Sequence, residues 1–190
     1  MIYLASASPR RQELLRQLGL AFEAVTSHLK ESRQPSETAA DYVVRVALDK
    51  ARHVAAQIRE QGRPAWPVLG ADTEVVLDDR VFGKPGDARE AADMLNRLAG
   101  RGHEVLSGIA MIAGGQEWTA LSRSRVFLAP VSAAEIAAYC ATGEPFDKAG
   151  GYAIQGRAAA FIERIEGSYS GVMGLPLHEL VMMMRKAGLS

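Results

Sequence analysis

The chain has 190 residues, 48% hydrophobic and 23% charged, the proportions of a globular protein large enough to bury its own core. Lys plus Arg and Asp plus Glu number 22 each, so the formal net charge is zero and nothing in it points to a nucleic-acid or membrane partner; any anion site has to be local. The lone cysteine, Cys140, excludes an internal disulfide, and no apolar run reaches the roughly 20 residues that cross a bilayer.

The N-terminus reads as a short buried strand (Ile2-Tyr3-Leu4), a turn of small residues (Ala5-Ser6-Ala7), and a helix over Pro9–Leu18 with Gly19 as its stop. Ser8 suits the N-cap and Pro9 the first helical position. Small turn residues let backbone N–H groups approach a ligand, and a helix N-terminus favours an anion. Arg10 and Arg11 sit in the first turn, where the dipole would rather have Asp or Glu. Either something negative belongs between them, or this is the solvated start of an amphipathic helix.

A strand over Phe22–Val25 follows, and then His28–Gln34, polar and irregular, reads as a loop that carries Glu31. By the sequence alone Glu31 is a solvated loop residue. A long helix starts at Ser36 or Thr38 and runs to about Arg59, with an apolar stripe of Val43, Ala47, Ala51, Val54 and Ile58. At 100° per residue Lys50 falls inside this stripe, whereas Arg45, Asp49 and Arg52 point away. An inward lysine either snorkels out to water or meets an anion.

Gly62, Pro64 and Pro67 mark a loop. Val68-Leu69-Gly70-Ala71 is expected as a short apolar strand with Asp72-Thr73 at its end, where catalytic groups of open α/β sheets gather. Val75–Leu77 continues extended, Asp78-Asp79-Arg80 turns the chain, and Val81-Phe82 returns it to Gly83-Lys84-Pro85. Asp87 and Glu90 form a capping-box pattern for a helix with Ala91, Met94, Leu95 and Leu98 inward and Gly100 at its end. Val105–Ala113 and Gln116–Leu128 make a hairpin about Gly114-Gly115. Ser132 and Glu135 start a helix to Tyr139, on which Cys140 is expected to pack. Ala158–Ile165 reads as a strand. Pro176 opens a last helix with Leu177, Leu180, Val181 and Met184 inward, and Met182-Met183-Met184 as core filler.

Familiar catalytic patterns are absent: no G-x-x-x-x-G-K-[ST], no H-E-x-x-H and no G-x-S-x-G. His28, His53, His103 and His178 are scattered singly, which argues against a zinc cluster. What recurs is cations and glycines beside lone carboxylates: Arg10, Arg11, Lys50, Lys84 and Lys148 against Glu31, Asp72 and Asp147. That set suits a polyphosphate held by Arg, Lys and backbone N–H groups, with carboxylates to hold Mg²⁺ and orient a water. It indicates phosphate ester or anhydride chemistry without saying which bond breaks.

Ser6-Ala7-Ser8-Pro9-Arg10-Arg11-Gln12-Glu13-Leu14-Leu15 resembles the signature of the Maf family of nucleoside triphosphate pyrophosphatases. The resemblance continues at Gly70-Ala71-Asp72-Thr73, Gly83-Lys84-Pro85, Asp147-Lys148-Ala149-Gly150, Tyr152-Ala153-Ile154-Gln155-Gly156, Gly167-Ser168-Tyr169 and Met173-Gly174-Leu175-Pro176-Leu177. It implies hydrolysis between the α and β phosphates with a divalent cation, Mg²⁺ or Mn²⁺. By the resemblance, Asp72 corresponds to the proposed general base. Glu31 and Lys84 join it in catalysis, and Ser6, Arg10, Arg11, Lys50, Thr73 and Gln155 bind substrate. Glu31 and Asp72 would hold the metal, and whether Asp72 is base, metal ligand or both stays open. Arg11, Thr73 and Gln155 match the branch acting on dTTP and UTP, and an amide offers both donor and acceptor to the imide edge of thymine or uracil.

The expected fold is a single α/β domain over residues 1–190, a long mixed sheet with helices on both sides. The two lobes around a central cleft, in the Maf/ITPase-like manner, and a homodimer come from the resemblance. With no basic-then-apolar leader the expected location is the cytoplasm. Two other classes stay open. One is a non-catalytic nucleotide-binding regulator of septum formation and cell division, a role linked with family members. The other is a general phosphatase releasing orthophosphate.

Overall fold

The computed structural model describes residues 1–189 as a mixed α/β protein. Its strands are β1 (Ile2–Leu4), β2 (Phe22–Ala24), β3 (Val68–Leu77), β4 (Arg80–Phe82), β5 (Gly102–Ala113), β6 (Gln116–Leu128) and β7 (Ile162–Glu166). Its helices are α1 (Pro9–Gln17), α2 (Ala39–Glu60), α3 (Ala88–Leu98), α4 (Ala133–Cys140), α5 (Tyr169–Met173) and α6 (Leu177–Lys186). The strands form a seven-stranded sheet in the order β2-β1-β3-β5-β6-β7, with β4 paired to β3. It is mixed: β1 runs parallel to β2 and β3, whereas β3–β4 and β6–β7 are antiparallel.

The chain divides into two compact units. The first comprises Met1–Asp72, Ser107–Ser122 and Gly174 onward; the second comprises Thr73–Leu106 and Arg123–Met173. In the first, the α2 stripe packs as its period requires. Ala47, Ala51, Val54 and Ile58 meet Tyr3, Ala5, Val68 and Ala110 in one buried cluster. Two glycines bring the helix unusually close. A Cβ on Gly70 would lie 2.0 Å from the Ala47 carbonyl oxygen, and one on Gly108 would lie 2.5 Å from that of Val43. The α2 backbone is therefore seated on β3 and β5 where side chains are missing. Thr38 caps the helix, its Oγ1 accepting from the Asp41 N–H at 3.1 Å.

In the second unit a core of Val75, Leu77, Phe82, Leu95, Leu98, Val105, Val126 and Tyr139 closes around α3 and α4. The β3–β4 turn has positive φ at Asp78 (50°) and Asp79 (61°), the conformation that two-residue hairpins demand. Gly114 and Gly115 do the same for the β5–β6 hairpin of the first unit, with φ 55° and 78°. Cys140 is buried, as expected, and burial pushes its thiol pKa up.

Several expectations need correction. Ser8 occupies the N-cap of α1 but makes no capping bond with its side chain; its own N–H donates to Ser6 Oγ at 3.2 Å. Glu90 reaches the Gly86 N–H at 2.8 Å rather than that of Asp87, so only the Ser132–Glu135 box closes on its N-cap. β3 does not stop before Asp72; it continues to Leu77, and Asp72 lies mid-strand. Residues 157–161 form a 3₁₀ turn, and pairing to β6 starts only at Ile162. The alanine run there offers no branched side chain to favour a strand. In α6 Met183, not Met184, is fully buried, and Met182 is 39% exposed. Pro176 stands at the N-cap, ahead of the first helical turn.

One buried polar pair of the second unit was not foreseen. His103 on β5 is 2% exposed, with Nε2 2.7 Å from the Tyr152 hydroxyl and a buried Nδ1 that has no hydrogen-bond partner. Burial holds its pKa down at about 4. Because the folded value lies below the ordinary 6.5, the unfolded chain binds the proton first as pH falls. Stability from neutral His103 is thus complete above about 6.5 and is lost progressively down to about 4, by roughly 3 kcal/mol at most. His103→Gln should flatten the fall of Tm between those pH values relative to the parent. Parallel slopes in thermal melts would show that His103 carries no such term.

Candidate active site

Lys50 sits on the inward stripe of α2, and its ammonium meets carboxylates instead of water. Its Nζ lies 2.8 Å from Asp72 Oδ1 on β3 and 2.9 Å from Glu31 Oε1 in the loop ahead of α2. The Lys50 and Asp72 side chains are 12% and 9% exposed and that of Glu31 is 39% exposed. Gly70 explains the reach. It is two residues before Asp72 on the same face of β3, and its missing side chain brings α2 down to where one further turn delivers Lys50. Asp72 Oδ2 is buried and has no hydrogen-bond partner, so one oxygen of this carboxylate is engaged by Lys50 and the other is an unsatisfied acceptor.

Arg11 joins the same unit. Its Nε donates to the Gly174 carbonyl at 2.8 Å and its Nη1 to Ser6 Oγ at 3.2 Å. Ser6 Oγ thus accepts from both Arg11 Nη1 and the Ser8 N–H, which fixes the turn before α1. Burial lowers the Arg11 pKa; the Asp72 carboxylate opposes this, Arg10 adds to it, and Glu31 opposes it. Arg10 is half-buried in the first turn of α1. Ser6, Arg11, Glu31, Lys50 and Asp72 are thereby linked by named contacts and fields.

Thr73, Lys84 and Gln155 belong to the second unit. Thr73 is half-buried and follows Asp72 in β3, so its side chain leaves the opposite face of the strand. Lys84 is exposed in the loop after β4, and the Gly150 N–H donates to the Gly83 carbonyl at 3.0 Å, tying that loop to the 149–151 turn. Gln155 is exposed in the next turn, which Glu144 holds. The Glu144 carboxylate accepts from the Arg157 N–H at 3.1 Å and the Tyr139 hydroxyl at 3.0 Å, and a Cβ on Gly156 would come within 2.2 Å of it. Lys148 donates to the Glu144 carbonyl at 2.6 Å and pairs with Asp147 beside it.

Sequence reasoning missed the Gly174 carbonyl as the acceptor that anchors Arg11, and Glu144 as the support of the Gln155 turn. Gly174 carries a φ of 111°, which only glycine adopts readily, and that was its one available signal.

Residues 1–187 match the family model described as Maf-like protein. The chain is 49% identical to the dTTP/UTP pyrophosphatase of Bordetella avium (strain 197N) over 195 residues, covering 100% of this chain and 96% of that one. It is 51% identical to the protein of the same name from Burkholderia lata over 194 residues (98% and 92%). Identity to that from Chromobacterium violaceum is 47% over 187 residues (98% and 94%). The solved structure of the Staphylococcus aureus Ham1 protein overlays with a TM-score of 0.44 at 12% identity, over 67% of this chain and 71% of that one, too slight a likeness to bear on the fold.

The contacts of Lys50 lead to a stability test. Removing the ammonium leaves Asp72 a buried carboxylate with only the field of Arg11 to offset its charge, so Lys50→Met should cost about 1–3 kcal/mol at neutral pH. Lys50→Met combined with Asp72→Asn should recover most of that loss, because neither charge then remains. Urea unfolding of the four proteins decides it; additive losses would mean that the pair is not coupled in the fold.

Proposed function

The chain belongs to the Maf-like protein family, and we propose that it hydrolyses dTTP and UTP between the α and β phosphates, giving the nucleoside monophosphate and pyrophosphate. One observation carries the reading: a buried carboxylate on β3 is held by an inward lysine through one oxygen and left unpartnered at the other. A carboxylate in that state can accept a proton from water, and the lysine that orients it can also meet a phosphate oxygen. Hydrolysis of a phosphoanhydride asks for positioning and charge neutralisation more than for covalent chemistry.

In this reading Asp72 is the general base and Lys50 its orienting cation. Ser6, Arg10 and Arg11 bind the polyphosphate from the first unit, where the α1 N-terminus adds backbone N–H groups and a favourable dipole. By the family resemblance, Lys84 of the second unit has a catalytic role, Gln155 a base-recognising one and Thr73 a substrate-binding one, although the Thr73 side chain leaves the face of β3 opposite to Asp72.

A divalent cation, Mg²⁺ or Mn²⁺, fits the donors. The unsatisfied Oδ2 of Asp72 and the Glu31 carboxylate are hard oxygen ligands, few enough that substrate phosphates and water would complete the shell. No group of three or more His, Cys, Asp or Glu side chains suited to a metal occurs among the described residues, so this is not an all-protein cage. When bound, the ion supplies charge neutralisation at the phosphate oxygens and lowers the pKa of a water.

No helix among the described residues is long and apolar enough to cross a membrane. The homodimer belongs to the proposal on the strength of the resemblance alone.

The test is a panel of nucleoside triphosphates with Mg²⁺ or Mn²⁺ and identification of the products. dTTP and UTP should be cleaved fastest, with pyrophosphate released. Asp72→Asn should lower kcat by about 10²–10⁴-fold with nucleotide binding retained. Gln155→Glu should slow dTTP and UTP selectively, since a carboxylate loses the donor that meets a base carbonyl. Orthophosphate as the product would place the cleaved bond elsewhere, and faster cleavage of purine triphosphates would overturn the substrate assignment.

A further inference from the structure

Glu31 lies in a segment, residues 25–38, that contains no strand or helix. Its polar composition gives it little to bury, so its position has to come from polar ties. Nor does it rest on a packed seat. A pocket of about 410 Å³ is lined by Leu29 and Glu31 of the segment and by Val46, Asp49, Lys50 and His53 of α2.

The ties converge on one side chain. Arg45 on α2 donates from Nε to Glu37 Oε1 at 2.6 Å and from Nη2 to Glu37 Oε2 at 2.8 Å, a two-pronged pair. The same Nη2 donates to the Ser32 carbonyl at 3.0 Å, one residue from Glu31, and Nη1 to Asp49 Oδ2 at 3.1 Å. Glu37 spreads the hold over the segment: its Oε2 accepts from the Gln34 N–H at 3.0 Å and its carbonyl from Arg33 Nε at 2.7 Å. The Tyr42 ring lies 5.5 Å from the guanidinium. The Arg45 hydrogen bond is the main reason that the Glu37 carboxyl is held down at about 2, so the clamp stays charged through the neutral range.

We propose that Arg45 is a positioning residue that clamps the Glu31 segment onto α2 and so keeps Glu31 facing Lys50. The proposal rests on the hydrolase reading above for its effect on activity, not for the clamp itself. Glu31 has its own contact with the site in the Lys50 ammonium, which incoming phosphate oxygens would compete for. A second hold about one and a half turns away, independent of Lys50, keeps the carboxylate in place while that contact is contested. A lysine at position 45 could not serve Glu37, Asp49 and the Ser32 carbonyl together, because the task needs the planar fork.

Amide exchange on the nucleotide-free protein and a double-mutant cycle on activity test this. In Arg45→Met the hydrogen-bonded amides within 31–37, those of Gln34 and Glu37, should exchange about tenfold faster or more, with those of 51–58 unchanged. kcat/KM for dTTP should fall about 10–100-fold, the scale of a misplaced catalytic group. In a Glu31→Gln background the same Arg45 change should cost less than about twofold, because its route of action is already gone. Glu37→Gln breaks the clamp from the loop side without touching α2 and should reproduce both effects in weaker form. Unchanged exchange in 31–37, or an equal fold-loss in both backgrounds, would overturn the proposal. Since the exchange measurement uses no nucleotide, it decides the clamp even if the chain cleaved no triphosphate.

Discussion

An ammonium group on the buried face of a helix constrains everything near it. Lys50 cannot be left without anions at 12% exposure, so Asp72 must stand at 2.8 Å and Glu31 at 2.9 Å. Reaching Asp72 in turn requires that α2 sit low on the sheet, which Gly70 and Gly108 allow by having no side chain where the Ala47 and Val43 carbonyls pass. Reaching Glu31 requires that an irregular segment be held over the same helix, and Arg45 with Glu37 does so. Helix placement and loop anchoring are thus both consequences of one inward charge. Hydrophobic packing by Ala47, Ala51, Val54 and Ile58 drives the helix onto the sheet, and the ion pairs fix where along it the chemistry can sit.

Much of this was legible because the relevant periods are local. The stripe of α2 placed Lys50 inward from spacing alone, Gly114-Gly115 announced its hairpin, and the turn expected over Asp78-Asp79-Arg80 is the two residues Asp78-Asp79, with Arg80 already paired in β4. What spacing could not say was which of two answers the lysine takes. Snorkelling and a waiting anion look the same in one helix, and only the tertiary arrival of β3 and the Glu31 loop separates them. The extent of β3 was hidden for a related reason. Asp72-Thr73 read as the end of the apolar strand, yet sheet pairing carries the backbone through them to Val75 and Leu77. Arg45 was legible only as a residue on the outward face, since its partners at Ser32 and Glu37 belong to a segment with no period to read. The register of the buried methionine in α6 failed by one residue, within the width of a helical face.

The site holds a cation and two carboxylates in a poise that suits water attack on a phosphate. Arg11 is fixed by Ser6 and the Gly174 carbonyl within the same unit. Asp72 is held by Lys50 through Oδ1, and its Oδ2 makes no hydrogen bond. The second unit keeps its own polar scaffold, in which Glu144 holds the turn that carries Gln155.

The most direct test of this account is where the attacking oxygen goes. With dTTP hydrolysed in water carrying the heavy oxygen isotope, the products can be separated and weighed by mass spectrometry. Attack on the α phosphorus, aimed by Asp72, puts the label in the nucleoside monophosphate and leaves the pyrophosphate light. Label in the pyrophosphate, or in released orthophosphate, would mean that the carboxylate and lysine cluster directs water to a different phosphorus, and the account would fail at its centre.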